Sequence, residues 1–294
     1  MKGKNHMTDT PTQTLGQLTA PNLSIEAGNG ITFAYRRFGG PASVPPLVFF
    51  QHFRGNLDNW DPLLVDTIAA HREVILLDNT GVGLSSGEVP STVTQMARDA
   101  IAFLDAMDLS EVDLLGYSLG GMVAQEVALL RPRAVRRLVL AGTGPRGGGR
   151  QMHGWIRDIE RTANLADNGV EDLLHIFFEI TQTSRDLGRE YIGRFFTRSD
   201  DRDKPTGPQV ARAQYDAIVE WGIPDASQLN RLAGIAAPTL VANGDNDAMI
   251  PTINSHILAD HIPDARLRIY PDAGHGFLFQ YPKQFAELVT EFLS

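Results

Sequence analysis

The chain contains no cysteine. Disulfides, thiolate metal sites and a cysteine nucleophile are excluded, so any covalent chemistry must use another side chain. A cysteine-free chain is compatible with a reducing compartment. Long apolar runs are missing too. Nothing in the 294 residues approaches the roughly 20 needed to span a bilayer. The N-terminus lacks the apolar core of a signal peptide. Basic charge is in deficit: Lys and Arg number 26 against 35 Asp and Glu, a net charge of −9. General affinity for nucleic acid or anionic membranes needs a basic face, which this balance does not favour. The histidines show no H-E-x-x-H or comparable ligand spacing, so neither a metal nor another cofactor is expected. The expectation is a cytoplasmic protein with no nucleic-acid partner and no stable membrane association. Oligomeric state stays open.

What the chain does have is alternation. Leu23-Ser24-Ile25-Glu26 and Ile31-Thr32-Phe33-Ala34-Tyr35 alternate apolar and polar around Gly28-Asn29-Gly30, which predicts a β-hairpin. Leu47–Phe50, Val74–Leu77, Val112–Leu115, Leu138–Ala141 and Thr239–Ala242 are short apolar runs. Such runs suit strands buried on both faces. Leu267–Tyr270 is the last predicted strand. Helical spacing covers Val93–Met107, the stretch after Ser118 up to Leu130, Pro251–His261 and Pro282–Leu293. Alternating strands and helices imply a mostly parallel sheet with helices on both faces. Residues 1–20 read as a loose polar tail, with Met1–His6 resembling an added leader before Met7.

At Gly142 the rhythm breaks. Gly142, Gly144, Gly147, Gly148 and Gly149 read as a flexible exit. About 85 residues follow with helical patterns and no clear strand. Their apolar faces are marked by Ile156 and Ile159, by Val170 to Thr181, by Tyr191 to Phe196, and by Ala211 to Trp221. Arg198–Pro208 is charged and reads as a solvated loop. His153 and His175 are taken as packing residues that could line a pocket.

Three polar loops follow predicted strands. Gly116-Tyr117-Ser118-Leu119-Gly120 fits G-x-S-x-G between a strand and a helix, the turn that presents a serine hydroxyl at a helix N-terminus. Asn243-Gly244-Asp245-Asn246-Asp247 is the second, and Pro271-Asp272-Ala273-Gly274-His275-Gly276 the third. In a parallel sheet, ligands bind beyond the carboxyl ends of the strands. Ser118, Asp247 and His275 therefore fall on one sheet edge. A serine hydroxyl is a poor nucleophile until a base takes its proton. Histidine can do so near neutral pH, and a carboxylate holds the imidazole in the working tautomer. Asp245 competes with Asp247 for the acid role. Asp247 is favoured because it lies further into the loop, with reach towards His275. Backbone N–H donors for a developing oxyanion are expected from Leu119 and from the loop after Phe50. Gly81 to Gly87 reads G-x-G-x-x-x-G, and Pro90 arrives before any helix. That spacing and context fail the dinucleotide-loop test, so the stretch reads as a loop crossing the strand ends.

These motifs, with Asp78-Asn79-Thr80-Gly81-Val82-Gly83-Leu84-Ser85, resemble the α/β-hydrolase superfamily from Leu23 to Leu293. The resemblance implies an α/β-hydrolase fold. Its core would be 21–144 and 236–294, with a helical cap over 145–235 inserted after the sixth strand. It implies Ser118 as nucleophile, His275 as base and Asp247 as acid. One departure concerns the oxyanion loop. Relatives often carry His-Gly and then a bulky residue, whereas this chain has Gln51-His52-Phe53. Matching Phe53 to the bulky residue makes its N–H the second donor and leaves His52 either to contact substrate or to brace the loop; Tyr117 is a further candidate pocket residue. The implied activity is hydrolysis of a small ester or lactone through an acyl-enzyme. Perhydrolysis and carbon–carbon bond hydrolysis share the same three residues, and some superfamily members are slow receptor-like binders. A serine at 118 argues against epoxide hydrolases and haloalkane dehalogenases, which use a carboxylate nucleophile.

Overall fold

In the computed structural model, residues 15–41, 44–148 and 154–294 are described. The expected tail through residue 14, and Gly149 and His153, lie outside them. The hairpin forms as β1 (Leu23–Glu26) and β2 (Thr32–Gly39), paired antiparallel with Leu23 opposite Tyr35. The run Leu47–Phe50 is β3, and all four of its residues are buried, as a strand covered on both faces requires. Asp61 caps α1 (Pro62–Ala69) through the Leu63 N–H at 3.0 Å, with Pro62 at the first helical position. Then come β4 (Glu73–Leu77), α2 (Val93–Ala106), β5 (Val112–Tyr117), α3 (Leu119–Leu130) and β6 (Val135–Ala141).

The expected break after β6 is a helical insertion: α4 (Arg157–Ala163), α5 (Val170–Phe177), α6 (Gln182–Phe195), α7 (Pro208–Trp221) and α8 (Ala226–Leu229). The sheet resumes with β7 (Thr239–Gly244), α9 (Ile253–His261) and β8 (Ala265–Tyr270). A short α10 (Phe277–Gln280), not anticipated from the sequence, precedes α11 (Pro282–Leu293). The eight strands run in the order β1-β2-β4-β3-β5-β6-β7-β8. Those from β4 through β8 are parallel, and β1 and β2 form the antiparallel edge. The carboxyl ends of β3, β5, β7 and β8 therefore face one way, and the loops with the predicted chemistry leave from that edge.

Two expectations fail for the same reason: charged and flexible residues found buried partners. Arg198–Pro208 is not simply a solvated loop. Arg198 and Asp203 are buried. Arg198 Nη1 and Nη2 donate to Gln17 O and Ala20 O at 3.1 and 3.0 Å, and Asp203 N–H donates to Asp58 Oδ2 at 2.8 Å. The glycine exit is pinned across residues 142–148. Gly144 O accepts from Trp221 Nε1 at 3.0 Å, and Gly147 exchanges backbone hydrogen bonds with Trp221 and Asp225.

Candidate active site

The serine turn is built from its glycines. A side chain on Gly116 would place a Cβ 2.3 Å from Gly120 O, and one on Gly120 would stand 2.0 Å from Phe50 O. Only glycine lets the backbone of β3, β5 and α3 cross so closely. Ser118, at the turn, has φ 56° and ψ −119°, a conformation side chains rarely adopt. Four hydrogen bonds hold it there. Ser118 N–H donates to Ala141 O at 2.9 Å, and Ser118 O accepts from Gly121 N–H at 2.9 Å, Met122 N–H at 3.3 Å and Thr143 Oγ1 at 2.8 Å.

His275 follows β8, and its Nδ1 lies 2.7 Å from Asp247 Oδ2. Asp247 Oδ1 accepts from Met249 and Ile250 N–H at 2.8 and 2.9 Å, which fixes the carboxylate with one oxygen free for the imidazole. Of the two aspartates in this loop, Asp247 is the one hydrogen-bonded to His275. Asp245 instead accepts from Asp272 and Ala273 N–H, both at 3.1 Å, shaping the loop that carries His275. Among the described residues no hydrogen bond engages Ser118 Oγ. Such bonds are often loose without substrate and tighten when it binds.

Among the described residues, neither expected backbone donor has an acceptor. Each N–H from His52 to Asn56 has a protein acceptor except that of Phe53. Leu119 N–H likewise has no acceptor among the described residues. His52 lies in the same loop, where Nδ1–H donates to Phe53 O at 2.8 Å. Its burial, despite that bond and with His275 adding to the shift, pushes its pKa down to about 4. The ring is thus neutral over the ordinary working range and packs edge-on to Tyr117 and Phe177.

A cavity of about 300 Å³ joins these groups. Ser118, His275, His52, Phe53 and Met249 line it from the sheet side, and Leu173, Ile176, Phe177, Tyr191, Phe195 and Phe196 from the insertion. Phe177 stacks on His275 at 6.0 Å, and its carbonyl accepts from Gly276 N–H at 2.6 Å. Tyr117, expected in the pocket, lies beneath it: fully buried, its hydroxyl donates to His275 O at 3.0 Å. A turn tyrosine points into the core because β5 is covered on both faces. His175 sits on the outside of the insertion, paired with Asp158. Sequence reasoning missed Arg54, whose contacts are described below; only its place beside Phe53 could have flagged it. Among the described residues, no group of three or more His, Cys, Asp or Glu is disposed to hold a metal ion, and no helix is long and apolar enough to cross a membrane.

Fold and sequence together make the chain a member of the alpha/beta hydrolase fold family, whose model matches residues 45–282. A solved alpha/beta hydrolase fold protein from Chitinophaga pinensis is 40% identical, with TM-score 0.89 over 95% of this chain and 99% of that one. A poly(3-hydroxyalkanoate) depolymerase of Ectopseudomonas oleovorans is 28% identical over 260 residues, 86% of each chain. The solved structure of Est816, described as an N-acyl homoserine lactone degrading enzyme, is 26% identical with TM-score 0.68, covering 92% of this chain and all of that one (100%).

Proposed function

We propose that the protein is a serine hydrolase of small carboxylic esters or lactones. Ser118 attacks the carbonyl, and His275 takes the hydroxyl proton and passes it to the leaving alcohol. Asp247 keeps the imidazole in the donating tautomer at Nδ1 and stabilises the imidazolium. The Phe53 and Leu119 N–H groups receive the oxyanion, and water then releases the acyl-enzyme through the same base. The insertion acts as a cap whose aromatic wall holds the acyl or alcohol part.

One observation carries this reading: a strained serine, a carboxylate-bound imidazole and Phe53, whose N–H has no acceptor among the described residues, line the same cavity. The depolymerase and the lactone-degrading relative support the ester or lactone reading.

The test is a panel of esters of increasing acyl length, with lactones, run on wild type and Ser118→Ala. Serine-dependent turnover is expected, with a length cut-off set by the cavity. Turnover confined to ring-cleavage diketones, or halogenation requiring peroxide in acetate, would replace the ester assignment with carbon–carbon cleavage or perhydrolysis.

A further inference from the structure

Arg54 immediately follows the Phe53 donor, yet its contacts are all on the other side of the cavity. Its guanidinium donates from Nη1 to Ala163 O, Leu165 O and Asn168 Oδ1 at 3.2, 2.6 and 3.4 Å, and from Nη2 to Ala166 O and Thr206 O at 3.0 and 3.4 Å. Its backbone N–H donates to Gln214 Oε1 at 2.6 Å. Every one of these acceptors belongs to the insertion. Ala163 O ends α4, and Leu165 O and Ala166 O lie just beyond it, so the cation also meets the favourable end of the helix dipole.

The backbone of Arg54 is left-handed, φ 60°. An arginine does not choose that conformation unaided. The peptide between Phe53 and Arg54 is gripped on both edges: the Phe53 carbonyl by His52 Nδ1–H from the core, and the Arg54 N–H by Gln214 from the insertion. Gln214 is fully buried, and its own Nε2 has no hydrogen-bond partner among the described residues. An amide with an unused buried donor costs stability, so Gln214 is placed for its acceptor.

We infer that Arg54 is a positioning residue that makes the oxyanion site conditional on docking of the insertion. With the insertion seated, the left-handed turn at Arg54 is held and Phe53 N–H is aimed at the carbonyl. With it lifted, Arg54 loses all its partners and the Phe53 donor is free to turn away. Closure over substrate and assembly of the charge-stabilising site are then one event. This inference rests on Phe53 N–H being an oxyanion donor, and the test separates the two.

The experiment compares an ester with its thionoester, whose sulfur accepts hydrogen bonds poorly, on wild type, Arg54→Met, Arg54→Lys and Gln214→Leu in the full chain. Wild type is expected to prefer the ester strongly. Arg54→Met and Gln214→Leu are expected to lose roughly 10²-fold in kcat on the ester with KM changed far less, and to lose the ester preference. Lysine should not rescue, because one ammonium cannot span acceptors this widely spread. The Arg54→Met, Gln214→Leu double variant should be no worse than the poorer single, since both break one linkage. If wild type shows no ester preference, the oxyanion assignment itself fails. If wild type shows it and Gln214→Leu keeps both kcat and preference, the coupling is wrong. Gln214→Leu carries this arm even if Arg54→Met does not fold.

Discussion

Asp78 at the end of β4 and Asp203 in the insertion press their carboxyl groups together and share a hydrogen bond. Leu57 N–H donates to both, at 2.9 Å to Asp78 and 3.2 Å to Asp203. Burial, then the neighbouring Asp203 charge, raises the pKa of Asp78 well above the usual carboxylate range. The two carboxyl groups thus meet where the insertion joins the core, and Asp78 is the one whose proton is favoured there.

The pH dependence follows with a definite sign. An acid whose pKa is raised on folding binds protons more tightly in the folded state. Its contribution is greatest below the ordinary aspartate pKa and declines as pH rises through the raised value. Asp203→Asn removes the like charge and supplies an amide donor to Asp78. Thermal midpoints measured from about pH 4.5 to 8.5 should fall less steeply in this variant than in wild type. Parallel curves would show that the pair does not couple to folding.

Ser118 carries backbone strain that glycine would relieve. Ser118→Gly should raise the melting temperature by about 2 °C, roughly 1 kcal/mol, while abolishing reaction with a fluorophosphonate probe. Ser118→Ala should abolish labelling without that gain. Labelling that survives either change would put the nucleophile elsewhere.

The two aspartates of the β7 loop should separate by phenotype. Asp247→Asn should lower kcat by roughly 10³ to 10⁴-fold with the fold intact. Asp245→Asn removes charge from the turn that accepts Asp272 and Ala273 N–H. It should cost about 1 kcal/mol of stability and much less kcat. Steady-state kinetics beside thermal melts distinguish them, and the reverse ranking would move the acid to Asp245.

His52 should be silent in the pH–rate profile. Its pKa is pushed down to about 4 and its Nδ1 proton is held by Phe53 O. The acid limb of kcat/KM then belongs to another group, and His52→Gln should leave its midpoint in place whatever the change in rate. A limb that vanishes with His52 would make this ring, not His275, the titrating base.

Most of the sheet was legible because strands buried on both faces write themselves as apolar runs, as Leu47–Phe50 does. The serine turn was legible because steric crowding at Gly116 and Gly120 admits only glycine. The proximity of Ser118, Asp247 and His275 followed from parallel topology, which sends the loops after β5, β7 and β8 to one edge. What stayed hidden depends on tertiary partners. Nothing local in Arg198–Pro208 says that Arg198 and Asp203 are buried. Nothing in Gly116-Tyr117-Ser118 says that the tyrosine turns inward. Arg54 is one charged residue in a loop until the carbonyls at the end of α4 are placed around it.

The most direct measurement is peptide mass mapping of protein quenched during turnover of a slow ester. An acyl group is expected on Ser118 in wild type, absent in Ser118→Ala, and accumulating when deacylation is slowed. An acyl group on another residue, or undiminished turnover by Ser118→Ala, would contradict that expectation.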